Sequence, residues 1–355
     1  MSLVRPRRLG AGPVVLGFAS TVALLLDGLA SGVRAATSEA PMNYLEGSGA
    51  RAAPVVPLTW GVLLISVAVI VIISVLVVTA IFRRRPAEAV DAAHKAPLVA
   101  TGGGMSWINV GVAISTVVLV VTVVWTMRVL AMVAQPPAEP NLTIEVIAHQ
   151  WWWEARYLDP DPARAFTTAN ELHIPVGKPV RLRLIAPDVI HAFWVPALGG
   201  QMDVVPGQTN LTWLEASSPG IYRGQCVEYC GVQHANMAMS VIAEPQDRFE
   251  TWRRRQAASL ADAAKSETSG QAVFEAHCSK CHTVRGTAAV GAKAPDLTHL
   301  MSRSTLAAGE FPNTRGHLEG WILDPQSLKP GTQMPETRLS PQELRDIARF
   351  LEALS

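Results

Sequence analysis

Two uninterrupted apolar runs constrain this chain more than any other feature. "PLTWGVLLISVAVIVIISVLVVTAIF" (57–82) ends at Arg83-Arg84-Arg85, and "WINVGVAISTVVLVVTVVWTMRVLAMV" (107–133) begins at Trp107. At about 1.5 Å of helical rise per residue, each exceeds the roughly 20 residues needed to cross about 30 Å of hydrocarbon. Arg128 is the one charged residue in either run. It lies near the outer end, where its long stem can carry the guanidinium to the interface. Two buried core helices would not need such length without charge, so a transmembrane helical hairpin over 55–135 is expected. The arginine triplet puts its short connection on the cytoplasmic side by the positive-inside rule. The 355-residue chain is 49% hydrophobic, in keeping with membrane segments, and its net charge of +1 gives no reason to expect nucleic acid as a partner.

The N-terminus reads as a signal peptide over 1–35. "RPRRLG" is a basic n-region, "PVVLGFASTVALLL" an apolar h-region, and "VRA" before Ala36 a small-residue cleavage site. The alternative is a third membrane anchor, but the apolar run is short and Asp27 interrupts it. An exported segment, 36–54, then leads into the hairpin.

After "AQPPAEP" the pattern changes. "NLTIEVIAHQWWWEARYL", "ELHIPVGKPVRLRLIAP" and "QTNLTWLEA" are β-rich, partly alternating and broken by Pro and Gly. They predict an all-β domain over 136–250. "FETWRRRQ" reads as helix, running into a polar linker over 251–268. From Ser269 the pattern becomes short helices and loops to Ser355. The last helix is announced by "SPQE": Ser340 as cap, Pro341 at the first position and Glu343 completing a capping box. No internal repeat is present.

The four cysteines form two pairs, Cys226/Cys230 and Cys278/Cys281. On the exported side both could be short disulfides, so the neighbours of each pair must decide. In "CVEYCGVQHANM", Cys226 and Cys230 are followed by His234 and Met237, a soft sulfur and imidazole set suited to copper. Zinc would make no use of the thioether, and this cysteine spacing is unusual for it. A second imidazole has to come from elsewhere, and "DVIHAFWVP" offers His191. Two thiolates and two imidazoles can hold two coppers, with Met237 as a weak axial ligand to one and a backbone carbonyl, that of Glu228, serving the other.

"CSKCH", Cys278 to His282, is the attachment signature for a c-type haem: two thiols for the vinyl groups and an adjacent histidine for the iron. A zinc half-site would need a further cysteine pair downstream, and none follows. The sixth iron ligand should be soft and neutral, and Met334, in the proline-stiffened "PGTQMPE", fits. Met301, His299 and His317 are its competitors. His94, His149, His173 and His277 carry no expected chemistry.

"DVIHAFWVPALGGQMDVVPG" with "GIYRGQCVEYCGVQHANMAM" resembles subunit II of haem–copper cytochrome c oxidases. "SGQAVFEAHCSKCHTV", "APDLTHLMSRSTLAAG" and "WILDPQSLKPGTQMP" resemble the cytochrome c domain fused to that subunit in caa-type members. The resemblance implies a multidomain chain: a two-helix transmembrane hairpin, an all-β cupredoxin-like Greek-key domain and an all-α class I cytochrome c domain. It implies that His191, Cys226, Glu228 (by its carbonyl), Cys230, His234 and Met237 hold dinuclear copper A. Cys278, Cys281, His282 and Met334 would hold one haem c. Trp151, first of the tryptophans in "HQWWW", matches the residue through which electrons enter from cytochrome c, while Trp152 and Trp153 are read as core or interfacial. The Glu228 carboxylate matches a group that reaches a magnesium ion shared with the catalytic subunit.

The implied function is electron input to a terminal oxidase: donor to haem c, haem c to copper, copper to the catalytic subunit that reduces oxygen to water in a proton-translocating complex. The implied partners are subunits I and III, the lipid bilayer, and a cytochrome c or a quinol:cytochrome c reductase as donor. The implied location is the bacterial inner membrane, with both redox domains on the periplasmic side. The copper A subunit of a nitric oxide reductase and a stand-alone membrane-anchored carrier are the alternatives. There is one departure: mitochondrial-type members carry a glutamate three residues before the tryptophan that starts the second membrane helix, and here that position is Gly104.

Overall fold

The computed structural model describes residues 42–83, 104–258 and 268–355. The expected signal peptide, most of the hairpin connection and half of the linker lie outside the described residues.

Helices α1 (Val55–Phe82) and α2 (Gly104–Ala134) are the apolar runs. Both are long and apolar enough to cross a membrane, and their valines, leucines and isoleucines are almost all uncovered by protein. In hydrocarbon every polar group must find an internal partner. The hydroxyls of Thr59, Ser66, Thr79, Thr116, Thr122 and Thr126 do so by donating to the carbonyl four residues back in their own helix. The end of α2 is tied to the extramembrane body by the Trp213 indole N–H, which donates to the Val133 carbonyl at 3.1 Å.

The β domain is a sandwich of two five-stranded sheets. One runs β3 (Phe166–Ala169), β2 (Trp152–Leu158), β1 (Leu142–His149), β5 (Val180–Ile185), β8 (Asn210–Leu214). The other runs β4 (Glu171–Pro175), β10 (Ala238–Glu244), β9 (Gly220–Cys226), β6 (His191–Trp194), β7 (Met202–Val204). Alternation in β5 sends Val180, Leu182 and Leu184 inward, where they meet Ile144, Trp153, Leu172 and Val241 in a common core. The β1/β5 and β4/β10 pairs are parallel and the other pairs antiparallel, so each sheet is mixed. This is the cupredoxin-like sandwich that the resemblance implies. Helix α3 (Gln246–Ala257) leaves β10 and buries Phe249 against the same core.

The helical domain holds α4 (Thr268–His277), α5 (Arg315–Leu323), the short α6 (Pro325–Leu328) and α7 (Pro341–Glu352). Its core joins Phe274 to Phe350, Ile347 and Leu351, with Leu318 and Ile322 alongside. The capping box forms: Ser340 Oγ accepts from the Glu343 N–H, and the Glu343 carboxylate accepts from the Ser340 N–H at 2.7 Å. One element departs from an all-helical expectation, a two-residue hairpin of β11 (Thr305–Leu306) and β12 (Phe311–Pro312). The intervening turn runs through Ala307 (φ 53°), Ala308 (φ 63°) and Gly309 (φ 89°), three consecutive residues in the left-handed region.

Candidate redox site

The end of the sandwich where β6 begins and β9 ends gathers the first candidate site. His191 opens β6 and Cys226 closes β9, and Phe193 pairs with Cys226 across the two strands. Cys230, His234 and Met237 follow on the loop that leads to β10. Cys226 Sγ lies 3.8 Å from His191 Nδ1, 3.7 Å from Cys230 Sγ and 3.2 Å from the Glu228 carbonyl oxygen. Cys230 Sγ lies 3.6 Å from His234 Nδ1 and 3.8 Å from Met237 Sδ. Five side chains and one carbonyl, spread over 47 positions of sequence from His191 to Met237, thus converge, and His191, Cys226, Cys230 and Met237 are each at most 2% exposed. The donor set fits a pair of copper ions: two sulfurs within bridging reach of each other, each with its own imidazole.

Electrostatics prepare the sulfurs. The neighbouring Cys230 sulfur, aided by His191, pulls the Cys226 thiol well below the ordinary thiol range, and Cys226 in turn pushes Cys230 up. Asp188 supplies a support that sequence reasoning missed. Its carboxylate accepts from His191 Nε2 at 2.9 Å and from the Gln150 N–H at 2.7 Å. Fixing one ring nitrogen leaves Nδ1 facing the cysteines, the usual outer-shell arrangement for an imidazole ligand. Despite the desolvation that opposes it, the His191 bond holds the Asp188 carboxyl below the usual carboxylate range. The short interval "DVIH" was the available signal.

The three tryptophans separate. Trp153 is fully buried in the core. Trp152 stacks on His149 with ring centroids 4.4 Å apart. Trp153 still touches the site from the core side, where its indole N–H meets the Met237 carbonyl at 3.4 Å, and Trp151 reaches it from the loop side, where its indole N–H donates to the Cys230 carbonyl at 3.0 Å. Gln150 Nε2 donates to the same oxygen at 2.7 Å. Gly231 has φ +116° and passes so close that a Cβ there would lie 2.9 Å from the Trp151 ring. Glycine is what lets the ligand loop and the indole meet.

In the helical domain Cys278 and Cys281 follow α4, half-buried and with free thiols. His282 Nδ1–H donates to the Pro295 carbonyl at 2.8 Å, which leaves Nε2 as the free ring nitrogen. Burial lowers the His282 pKa, so the ring is neutral and able to ligate. These features fit a covalent haem. Met334 lies half-buried on a loop fixed by Gln326, whose Nε2 donates to the Thr332 and Met334 carbonyls, each at 2.7 Å. The competitors are otherwise engaged. His299 has Nδ1 3.0 Å from the Ser355 carbonyl and Nε2 3.2 Å from that of Ala258. His317 Nδ1 meets Thr314 Oγ1 at 2.7 Å, and Met301 packs against the helical core. Among the histidines without an expected role, His149 pairs with Glu154, and His173 pairs with Glu244 and stacks on Trp252.

Comparison with known proteins agrees with this division. Residues 157–244 match the family model of the cytochrome c oxidase subunit II periplasmic domain, and residues 268–355 match that of cytochrome c. The chain is 40% identical over 214 residues to cytochrome c oxidase subunit 2 of Alkalihalophilus pseudofirmus, covering 59% of this chain and 60% of that protein. It is 32% identical over 241 residues to the protein of the same name from Bacillus sp. strain PS3, covering 64% of this chain and 66% of that one. The chain therefore spans a little under two thirds of the length of these curated relatives. Among solved structures, the periplasmic domain of subunit II of cytochrome oxidase of Bradyrhizobium japonicum is 33% identical, covering 34% of this chain and 95% of that one, with a TM-score of 0.32.

Proposed function

We propose that this chain, which carries a periplasmic domain of the cytochrome c oxidase subunit II family followed by a cytochrome c domain, is the electron-input subunit of a haem–copper terminal oxidase of caa type. The observation that carries the reading is the convergence of His191, Cys226, the Glu228 carbonyl, Cys230, His234 and Met237 at one end of the sandwich. On this reading they hold dinuclear copper A, while Cys278 and Cys281 hold haem c covalently, with His282 and Met334 on its iron. When bound, the copper pair and the haem would each supply one-electron exchange, the haem at a potential raised by His282 and Met334.

The chain's own residues prepare this exchange. The depressed Cys226 pKa supplies a thiolate at neutral pH. Asp188 orients His191, and the Pro295 carbonyl orients His282. Trp151 couples its ring to the ligand loop through the Cys230 carbonyl, which supports its role as the residue through which electrons enter. The Glu228 side chain is exposed and is free to reach a magnesium ion shared with subunit I. The hairpin anchors the chain in the inner membrane beside subunits I and III, with both redox domains on the periplasmic side. A cytochrome c or a quinol:cytochrome c reductase donates at the helical domain. Tethering that domain turns the encounter with copper into an intramolecular one and raises its effective concentration.

The test is metal analysis and electron paramagnetic resonance of the full chain after haem attachment and copper loading. Two coppers, one haem and hyperfine structure from an electron shared by two copper nuclei are expected. The spectrum of a single isolated copper would overturn the dinuclear assignment.

A further inference from the structure

Lys329 is 2% exposed, yet neither metal site needs it. It lies five residues before Met334, and its Nζ donates to three backbone carbonyls: Asn236 at 2.6 Å, Ala307 at 2.8 Å and Trp151 at 3.1 Å. An ammonium has three protons, and here each has an acceptor. Two of the acceptors belong to the β domain. Asn236 adjoins Met237 on the ligand loop, and Trp151 is the residue whose indole reaches Cys230. The third, Ala307, belongs to the left-handed turn of the helical domain. Burial pushes the Lys329 ammonium down to about 8, so it still carries its charge at neutral pH.

Other contacts lie along the same seam. The second left-handed alanine, Ala308, accepts from the Ala238 N–H at 3.0 Å. Left-handed alanines are strained and persist where their surroundings hold them; here both carbonyls are held by groups that bridge the domains. Gln233 Nε2 donates to the Pro330 carbonyl at 2.7 Å, and the Ser304 N–H donates to the Glu171 carboxylate at 2.7 Å. Gly331, at φ +84°, passes so close that a Cβ there would lie 3.0 Å from Val232 and 3.8 Å from the Trp151 ring. The loop that carries Met334 is therefore seated on the indole.

We propose that Lys329 latches this chain's own cytochrome domain onto the copper-ligand loops, so that the Trp151 face is occupied by the tethered domain and a separate carrier protein must dock elsewhere on the helical domain. Lys329 is a positioning residue on this view; the proposal rests on the electron-input reading above. An apolar side chain of the same length would leave three inward-facing carbonyls without their donor, and swinging the domain away is the way to hydrate them.

The test uses the full chain in detergent, loaded with haem and copper, as parent and as Lys329→Met. Hydrogen bonds to a charged donor suggest a loss in the docking equilibrium on the order of tenfold to a hundredfold. Amide exchange at Ala238 and Ser304 should accelerate accordingly, and small-angle scattering should report a larger radius. Haem-to-copper transfer after flash reduction should slow, while the haem and copper spectra and potentials stay at parental values. Direct reduction of copper by added soluble cytochrome c, negligible in the parent, should appear. Ser304→Asp, which sets a carboxylate against Glu171, should open the same seam by unrelated chemistry and serves if the first variant folds poorly. Parental exchange, radius and transfer rate in Lys329→Met would overturn the latch, as would Ser304→Asp opening the seam without slowing transfer. A parent that docks normally but never passes an electron from haem to copper would instead overturn the electron-input reading.

Discussion

In the β domain, the candidate copper ligands are set by strand ends and one short loop, and sulfur-to-ligand separations of 3.2–3.8 Å are built into the polypeptide. In the helical domain, the cysteines and His282 follow one helix, while Met334 arrives on a loop whose internal fixing comes from Gln326. The supporting cores differ too: 27 buried side chains join in the sandwich and 11 in the helical domain. A small core gains proportionately more from a large apolar cofactor. The contrast suggests that a preformed metal site needs a well-packed sheet behind it, whereas a cofactor that itself contributes packing can draw its ligands from less tightly built segments.

Preventing haem attachment should disturb the molecule most. In Cys278→Ser/Cys281→Ser, the helical domain should lose its cooperative melting transition, and the sandwich should still bind two coppers. Calorimetry with copper analysis reads both. Independent melting of a fully stable helical domain would show that its core does not depend on the cofactor.

Met334→Ala should act next most strongly. On the proposed assignment, thioether bonds through Cys278 and Cys281 would keep the haem attached, while the sixth iron position would open and the potential would fall. Carbon monoxide titration reads the opening. Binding no tighter than in the parent would move the assignment off Met334.

Trp151→Phe should act on the copper side alone. It keeps an aromatic ring at this position but deletes the N–H that donates to Cys230 and trims the Cη2 and Cζ3 atoms that face Gly331. Gln150 still donates to that carbonyl, so copper binding should be nearly unchanged while haem-to-copper transfer slows. A parental rate would return Trp151 to a packing role.

How much of this was legible in the sequence follows from the range of each interaction. The hairpin was legible because membrane crossing demands composition over a contiguous stretch. The Ser340/Glu343 capping box was legible because its partners are three residues apart. The cysteines, His234 and Met237 were legible because one loop holds them at fixed intervals. The docking of the two domains was not: Lys329 finds its acceptors 178, 93 and 22 positions away, and the acceptors are backbone carbonyls, which every residue type carries. The parallel pairing of β1 with β5 escaped for a related reason, since strand alternation marks a buried face but does not choose the neighbouring strand.

A substitution remote from both sites should change least. Ser340 caps α7, whose Phe350 and Leu351 supply much of the smaller core. Removing an N-cap hydroxyl costs typically about 1 kcal/mol, so Ser340→Ala should lower the melting of the helical domain by a few degrees and leave copper binding alone. There is also a pH signature. The hydrogen bonds from Ser340 hold the Glu343 carboxyl below its ordinary value. A carboxylate whose pKa is depressed by folding stabilises the folded state above its unfolded pKa, and loses that contribution as pH falls through the folded one. The parent's advantage over Ser340→Ala should therefore be full at neutral pH and shrink on acidification below the ordinary glutamate range. Melting curves of the two proteins from neutral pH downward decide it. A difference that stays constant with pH would mean that the Ser340 hydroxyl acts only through the bond it accepts from the Glu343 N–H and leaves the Glu343 carboxyl unmoved, since the bond from the Ser340 backbone N–H to that carboxylate is kept in both proteins.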